Sequence, residues 1–127
     1  MAQIIIVDDE SSVRDMLEAM IKPLEHELIV MSNADDVISA CQTSEPDLVI
    51  TDIVMPGKNG IDLIMTLKEK NPDIPIIAIS GGGGITGRYD YLEIAKLVGA
   101  DNIIKKPFTM ENIRTAVQNI LTSKEKV

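Results

Sequence analysis

The stretch LVITDIVMPGKNG at residues 48–60 begins with four apolar or β-branched residues and then has a carboxylate, Asp52, where the apolar run stops. The run LVIT predicts a buried strand over residues 48–51. An ionised carboxylate at the edge of a protein core is costly unless charged or hydrogen-bonding groups compensate for it. Residues elsewhere in the chain must therefore act as partners for Asp52.

Four other runs have the same short, apolar character. They are QIIIV at 3–7, ELIV at 27–30, PIIAI at 75–79 and NII at 102–104. A helix-length segment follows each of the five runs, so a βα unit is repeated five times. Strands that are apolar throughout predict a parallel sheet covered by helices on both faces, which is a doubly wound α/β fold.

Three helices are indicated by apolar residues at helical spacing. The residues are Val13, Met16, Leu17, Met20 and Ile21 in the first helix, Ala34, Val37, Ile38 and Cys41 in the second, and Ile113, Ala116, Val117, Ile120 and Leu121 in the last. Ser12 and Asp15 have the spacing of a capping box, and Thr109 is predicted to cap the last helix. Less regular helices are predicted from Ile61 and between Tyr91 and Val98.

Composition limits the classes of partner. The 127 residues fit one domain, residues 1–127. The net charge of −8 disfavours binding to nucleic acid and to anionic membranes. No apolar run approaches the roughly 20 residues that span a bilayer, and the N-terminal sequence has no basic leader, so we expect a cytoplasmic protein. The single cysteine, Cys41, is expected to be a reduced, packed thiol.

Polar residues follow four of the five predicted strands. They are Asp8, Asp9 and Glu10 after the first, Asp52 after the third, Ser80 after the fourth, and Lys105, Lys106 and Pro107 after the fifth. Parallel strands end at one edge of a sheet, and in the order 2-1-3-4-5 the first and third strands are neighbours. This order brings Asp8 and Asp9 beside Asp52.

Several carboxylates in one pocket require compensation. Two like charges about 4 Å apart repel by about 4 kcal/mol at an effective dielectric constant of 20, in a domain whose whole stability is about 5–15 kcal/mol. A proton, the ammonium of Lys106 or a divalent cation would relieve this repulsion, and Mg²⁺ prefers such oxygen ligands. Taken singly, each residue also has an ordinary role: aspartates cap helices, paired lysines are solvated, and Ser80 with the following glycines forms turns.

The chain resembles the receiver domain of response regulators in two-component signalling over essentially its whole length. The resemblance lies in VDDE at 7–10, LVITDIVMPGKNG at 48–60, IIAIS at 76–80 and GADNIIKKPF at 99–108. It implies a flavodoxin-like three-layer (βα)5 sandwich whose five-stranded parallel sheet has the order 2-1-3-4-5.

The resemblance also implies a role for each site residue. Asp52 resembles the aspartate that accepts a phosphoryl group, Ser80 the hydroxyl residue that hydrogen-bonds this group, and Lys106 the lysine that pairs with it. The implied Mg²⁺ ligands are Asp9 directly, Asp8 through water, Asp52, and the backbone carbonyl of Val54. The family commonly has a cis peptide at the position of Lys106–Pro107.

The implied phosphoryl donor is a histidine kinase or a histidine phosphotransfer protein. The domain would not be a classical enzyme, although it would assist its own phosphorylation and dephosphorylation. Because the chain ends at LTSKEKV soon after the last helix, we expect a stand-alone receiver. Its output would then pass to a protein target through the face formed by the fourth helix, fifth strand and fifth helix.

Two features depart from the family pattern. The family usually has an aromatic switch residue three positions before the lysine, and this chain has Ile103 there. We therefore do not expect the phosphorylation signal to be transmitted by rotation of an aromatic side chain. The segment 81–91 is longer than usual and rich in glycine, and it contains Tyr89 and Tyr91. One hypothesis is that either tyrosine substitutes for the missing switch.

Three alternatives remain open at this stage. A Mg²⁺-dependent aspartyl-phosphate phosphatase would have a second acid two residues after the nucleophile, where this chain has Val54. A flavin or nucleotide binder would need aromatic walls, and only 2% of the residues are aromatic. A phosphorylation-independent scaffold would usually lack some site residues. This chain retains all five residues of the family's site, which are three acids, one hydroxyl residue and one lysine.

Overall fold

The computed structural model describes residues 2–53, 59–80 and 91–125, and it has the predicted alternation of strands and helices. The strands are β1 (Gln3–Val7), β2 (Glu27–Met31), β3 (Leu48–Asp52), β4 (Ile76–Ser80) and β5 (Asn102–Lys105). The helices are α1 (Ser11–Ile21), α2 (Ala34–Thr43), α3 (Gly60–Lys70), α4 (Tyr91–Val98) and α5 (Met110–Glu125). Within this described part of the chain, no helix combines the length and apolar character that crossing a membrane requires.

The five strands form one parallel sheet of order β2-β1-β3-β4-β5, which confirms the predicted topology. Val7 pairs with Thr51, so the residue after β1 and the last residue of β3 lie at neighbouring positions. Ser80 pairs with Lys105 at the ends of β4 and β5. The sheet therefore collects the carboxyl ends of β1, β3, β4 and β5 at one edge.

Alternate side chains of each strand enter two separate hydrophobic cores, one on each face of the sheet. Ile5 and Val49 pack in the core beneath α2, α3 and α4, whereas Ile4 and Ile50 pack in the core beneath α1 and α5. Because helices cover both faces, Glu27 and Lys105 are the only exposed residues of the five strands, which explains why the strand sequences are largely apolar.

The predicted capping box of α1 is wrong. The helix begins at Ser11, Glu10 occupies the N-cap position, and in the described chain no side chain caps this end. Ser12 is already in the first turn, so it cannot act as the cap for Asp15. The physical reason is the short connection after β1, which contains only the three acidic residues 8–10.

The predicted cap of α5 is confirmed. The hydroxyl of Thr109 accepts a hydrogen bond from the backbone N–H of Asn112 at 3.0 Å, and the Asn112 side chain accepts one from the N–H of Thr109 at 3.0 Å. In α3, Asn59 caps the helix by accepting from the N–H of Asp62 at 2.9 Å. These side chains satisfy helix donors that have no partner within the helix.

Asp101 links the start of β4 to α3 at the edge of the sheet opposite to the site residues. Its Oδ2 accepts a hydrogen bond from the N–H of Ile76 at 2.8 Å and lies 2.9 Å from the ammonium of Lys68. We expect Asp101→Ala to lower the free energy of unfolding by about 1–3 kcal/mol, because a partly buried N–H loses its acceptor. Urea unfolding would measure this loss, and an unchanged midpoint would contradict the assigned role.

Candidate functional site

Asp52 is the last residue of β3, and only 5% of it is exposed. Its Oδ2 lies 3.2 Å from Nζ of Lys106, whose side chain is 25% exposed. Lys106 follows β5, which is two strands away from β3 in the sheet. The structure thus brings together the carboxylate and the lysine that the sequence analysis paired, although they are 54 positions apart.

Asp8 lies immediately after β1 and is almost fully buried. Its Oδ1 accepts a hydrogen bond from the N–H of Glu10 at 2.9 Å. Burial raises the pKa of Asp8 from 3.8 to about 7, and the charge of Asp52 and a hydrogen bond with Asp52 act in the same direction. The Glu10 N–H and the charge of Lys106 oppose this rise. Asp8 therefore keeps its proton nearly to neutral pH when no metal ion is present.

Asp8 also belongs to a cluster of carboxylates with Asp9 and Glu10, which are both exposed. The ligand oxygens of these three residues lie within 4.8 Å of one another. Asp52 is not a member of this group, but it interacts with Asp8 directly. Asp8 is thus the connection between the exposed acids and the buried Asp52.

Glu10 is the acidic group to which the sequence analysis assigned no ligand role. The signal that could have identified it is the run of three consecutive acids directly after a strand. Carboxylate oxygens at this spacing are a donor set that suits a hard divalent cation. The residues present therefore fit the Mg²⁺ that the resemblance implies.

Ser80 is the last residue of β4 and is 2% exposed. Because β4 lies between β3 and β5, Ser80 lies between the strands that carry Asp52 and Lys106. The carbonyl oxygen of Ser80 accepts a hydrogen bond from the N–H of Lys106 at 2.7 Å. The ends of β4 and β5 are thereby tied together beside Asp52.

Two further predicted features lie in and just after β5. The peptide bond between Lys106 and Pro107 is cis, as the resemblance implied. Ile103 is partly buried in β5 and packs against the core beneath α2, α3 and α4. Val54, Tyr89 and the side chain of Tyr91 lie outside the described residues.

The fold and the site together define a receiver domain. The chain belongs to the response regulator receiver domain family, whose family model matches residues 4–118. It is therefore a receiver domain of two-component response regulators, a class of phosphoacceptor signalling domains.

Two curated transcriptional regulators are similar to this chain. The chain is similar to a probable transcriptional regulator, ycf27, of Pyropia yezoensis, with 31% identity over 125 residues that cover 98% of this chain and 49% of the relative. It is also similar to the DNA-binding transcriptional regulator NtrC of Azospirillum brasilense, with 32% identity over 122 residues, 96% of this chain and 24% of NtrC. The chain spans about half the length, or less, of these curated relatives.

Solved structures have the same architecture. A response regulator receiver domain protein of Clostridium thermocellum aligns with a TM-score of 0.87 at 24% identity, over 98% of both chains. NtrX of Brucella abortus aligns with a TM-score of 0.86 at 31% identity, over 98% of this chain and 28% of NtrX. The fold is therefore that of known receiver domains.

The raised pKa of Asp8 predicts an unusual dependence of stability on pH. Between about pH 4 and pH 7 the folded protein binds more protons at Asp8 than the unfolded chain does, so the contribution of Asp8 to stability in EDTA falls as the pH rises and levels off above 7. Asp8→Asn removes the buried charge and retains a hydrogen-bonding group. We expect this variant to exceed the wild type by about 2–4 kcal/mol at pH 8 and to approach it near pH 4.

Urea unfolding in EDTA at a series of pH values measures this effect. Asp9→Asn is the matched control because Asp9 is the exposed neighbour of Asp8. It should change the free energy of unfolding by less than about 1 kcal/mol at each pH. Equal stability gains from Asp8→Asn at pH 5 and pH 8 would contradict the assignment.

Proposed function

We propose that Asp52 accepts a phosphoryl group from the phosphohistidine of a histidine kinase or a histidine phosphotransfer protein, in a Mg²⁺-dependent reaction. The observation that carries this proposal is the buried Asp52 carboxylate, which lies 3.2 Å from Nζ of Lys106 and interacts with Asp8 of the acidic cluster. Residues 1–127 would act as one receiver domain. The domain would assist its own phosphorylation and dephosphorylation without turning over other substrates.

The chemistry follows from the groups around Asp52. A carboxylate oxygen of Asp52 attacks phosphorus, the bond between phosphorus and the donor nitrogen breaks, and its electron pair returns to the imidazole. Phosphoryl transfer depends mainly on positioning and on neutralisation of the equatorial oxygens. The Lys106 ammonium would pair with one of these oxygens, and the Ser80 hydroxyl would donate a hydrogen bond to another.

We assign the acidic cluster to the metal. Asp9 would bind Mg²⁺ directly, Asp8 would bind it through water, and Asp52 and the carbonyl of Val54 would complete the protein ligands, with Glu10 nearby in the cluster. When bound, Mg²⁺ would neutralise phosphoryl oxygens and orient the reacting group. The oxygen donors, two of them on exposed and therefore accessible side chains, support this assignment.

Metal binding should release a proton from Asp8. Because the pKa of Asp8 is about 7 without metal, we expect the apparent Kd for Mg²⁺ to rise about tenfold for each pH unit below 7. Calorimetric titration in two buffers of different ionisation enthalpy would detect about one proton released per Mg²⁺ near pH 6. A Kd that does not change between pH 6 and pH 8 would contradict this coupling.

Phosphorylation would then switch a protein-binding surface. An acyl phosphate adds negative charge that Ser80 and Lys106 can contact, and the hydrogen bond between their backbones links β4 to β5. We propose that α4, β5 and α5 form the surface for a downstream protein target. The exposure of Leu97 in α4 and Met110 in α5 supports this choice, because 84% and 46% of these residues are accessible.

The test uses acetyl phosphate as a small phosphoryl donor. Intact-protein mass spectrometry should detect one added phosphoryl group per chain in Mg²⁺ and none in EDTA, and peptide mapping should locate it at residue 52. NMR spectra with beryllofluoride should change at β5, α4 and α5. Absence of the adduct in Mg²⁺ would refute the proposal, and repeated turnover of p-nitrophenyl phosphate would indicate a phosphatase instead.

A further inference from the structure

Arg14, in the first turn of α1, contacts the loop that carries the acidic cluster. Its Nη1 donates a hydrogen bond to the carbonyl oxygen of Asp8 at 2.7 Å, and the residue is half-buried. A bond from a guanidinium is charge-assisted and stronger than a bond between two neutral groups. Neither the sequence pattern nor the site chemistry described above assigns Arg14 a function.

The same residue also holds the other end of the loop. The backbone N–H of Arg14 donates to the carbonyl of Glu10 at 3.1 Å, while its side chain bonds the carbonyl of Asp8. Arg14 therefore closes a ring around residues 8–10, which are the three acids of the cluster. The orientation of the peptide after Asp8 is fixed from the helix side.

The remaining polar groups of Asp8 are bonded as well. Its N–H donates to the carbonyl of Met31 in β2 at 3.2 Å, and its Oδ1 accepts from the N–H of Glu10 at 2.9 Å. With both backbone groups held by β2 and α1, the side chain is directed toward Asp52, with which it interacts. Loss of the Arg14 bond would remove one of these restraints on the backbone of Asp8.

We propose that Arg14 is a positioning residue for the metal site. Its guanidinium holds the peptide after Asp8 so that the Asp8 carboxyl and its acidic neighbours converge. The inference rests on the proposed Mg²⁺-dependent function. It goes beyond that function because it assigns part of the Mg²⁺ affinity to a side chain that is not itself a ligand.

The structure contains a matched control. Arg114 in α5 makes the same kind of contact, in which its Nε donates to the carbonyl of Met20 at 2.9 Å. Like Arg14, it is half-buried. Met20 lies near the end of α1 that is remote from the acids. Arg114→Met therefore removes a comparable bond from arginine to backbone without touching the loop at residues 8–10.

The experiment compares Arg14→Met, Arg14→Lys and Arg114→Met with the wild type. Each protein is titrated with Mg²⁺ by calorimetry at pH 8 and unfolded with urea in EDTA. We expect Arg14→Met to raise the Kd for Mg²⁺ about tenfold, which is within the range for groups that orient metal ligands. Arg14→Lys should recover most of the affinity, and Arg114→Met should leave the Kd within about twofold of the wild type.

Two results would overturn the inference while leaving the proposed function intact. One is a wild-type Kd in Arg14→Met, and the other is an equal rise of Kd in Arg114→Met, which would indicate a general effect of lost stability. The urea data distinguish folded variants from unfolded ones. If Arg14→Met does not fold, Arg14→Gln, which also removes the guanidinium, takes its place with the same expected rise of the Kd for Mg²⁺. Failure of the wild type to bind Mg²⁺ would instead refute the proposed function.

Discussion

Replacing Asp52 with asparagine is expected to abolish the Mg²⁺-dependent adduct with acetyl phosphate, a loss of at least about 1,000-fold in rate. In the proposed reaction the carboxylate oxygen is the attacking atom, and a neutral amide oxygen is a far weaker nucleophile. The side chain is nearly fully buried at the end of β3, and the neighbouring carboxyl of Asp8 is assigned to the metal in the proposed function. Intact-protein mass spectrometry over a time course would measure the loss.

Asp101→Asn is the matched control for this experiment. Asp101 also pairs with a lysine, at 2.9 Å from Lys68, but it lies next to the first residue of β4, at the opposite edge of the sheet. This variant should form the adduct at the wild-type rate. An adduct of full yield in Asp52→Asn, or loss of the adduct in both variants, would show that Asp52 is not the specific acceptor.

Gly60→Ala is expected to lower the free energy of unfolding by about 3 kcal/mol or more. A Cβ atom at this position would lie 2.6 Å from Cα of Ile53 and would also clash with the carbonyl oxygen of Asp52. Both are backbone atoms, so no flexible side chain can move to make room. The N–H of Gly60 also donates to the carbonyl of Ile53 at 2.7 Å, which holds the start of α3 against the end of β3.

This substitution should also impair phosphorylation. The clash can be relieved only if the start of α3 or the backbone at Asp52 moves, and small displacements of a nucleophile reduce transfer rates strongly. We expect the initial rate of adduct formation to fall by about 10-fold or more in the folded fraction. Chemical denaturation and the acetyl phosphate assay on the same preparation would measure both effects.

Gly99→Ala provides the comparison for Gly60→Ala. Gly99 has a φ of +123°, which strains a residue with a side chain, and its added Cβ would meet the flexible side chain of Lys68 at 2.9 Å. Stability should fall by about 1–2 kcal/mol, while the adduct forms at the wild-type rate. If both glycine variants lose phosphorylation equally, the effect of Gly60→Ala comes from general destabilisation.

Much of the architecture could be predicted because the fold depends on repeated local patterns. The apolar runs identified all five strands, and the doubly wound order then brought Lys106 to Asp52 across 54 positions. The pairing of Asp8 with Asp52 followed from the same order. The strand order itself was implied by the resemblance to receiver domains, and given that order these two pairings required only that parallel strands end at one edge of a sheet.

The features that escaped prediction depend on single contacts. The Ser12 cap failed because the loop after β1 is too short to leave that residue outside α1. Arg14 was not identified because a bond from a side chain to a backbone carbonyl has no sequence signature. The steric requirement at Gly60 is likewise set by the approach of two chain segments, which spacing alone does not reveal.

The position of Lys106 has a consequence for the rate and energetics of the proposed phosphorylation. Its ammonium already spans the end of β4 to reach Asp52 in the unmodified protein, so the long side chain is ordered before any donor arrives. The entropy lost in restraining its rotamers is part of folding and does not add to the activation barrier. In the proposed phosphorylation the cation would exchange one anionic partner for another, so the driving force would be the difference between two ion pairs.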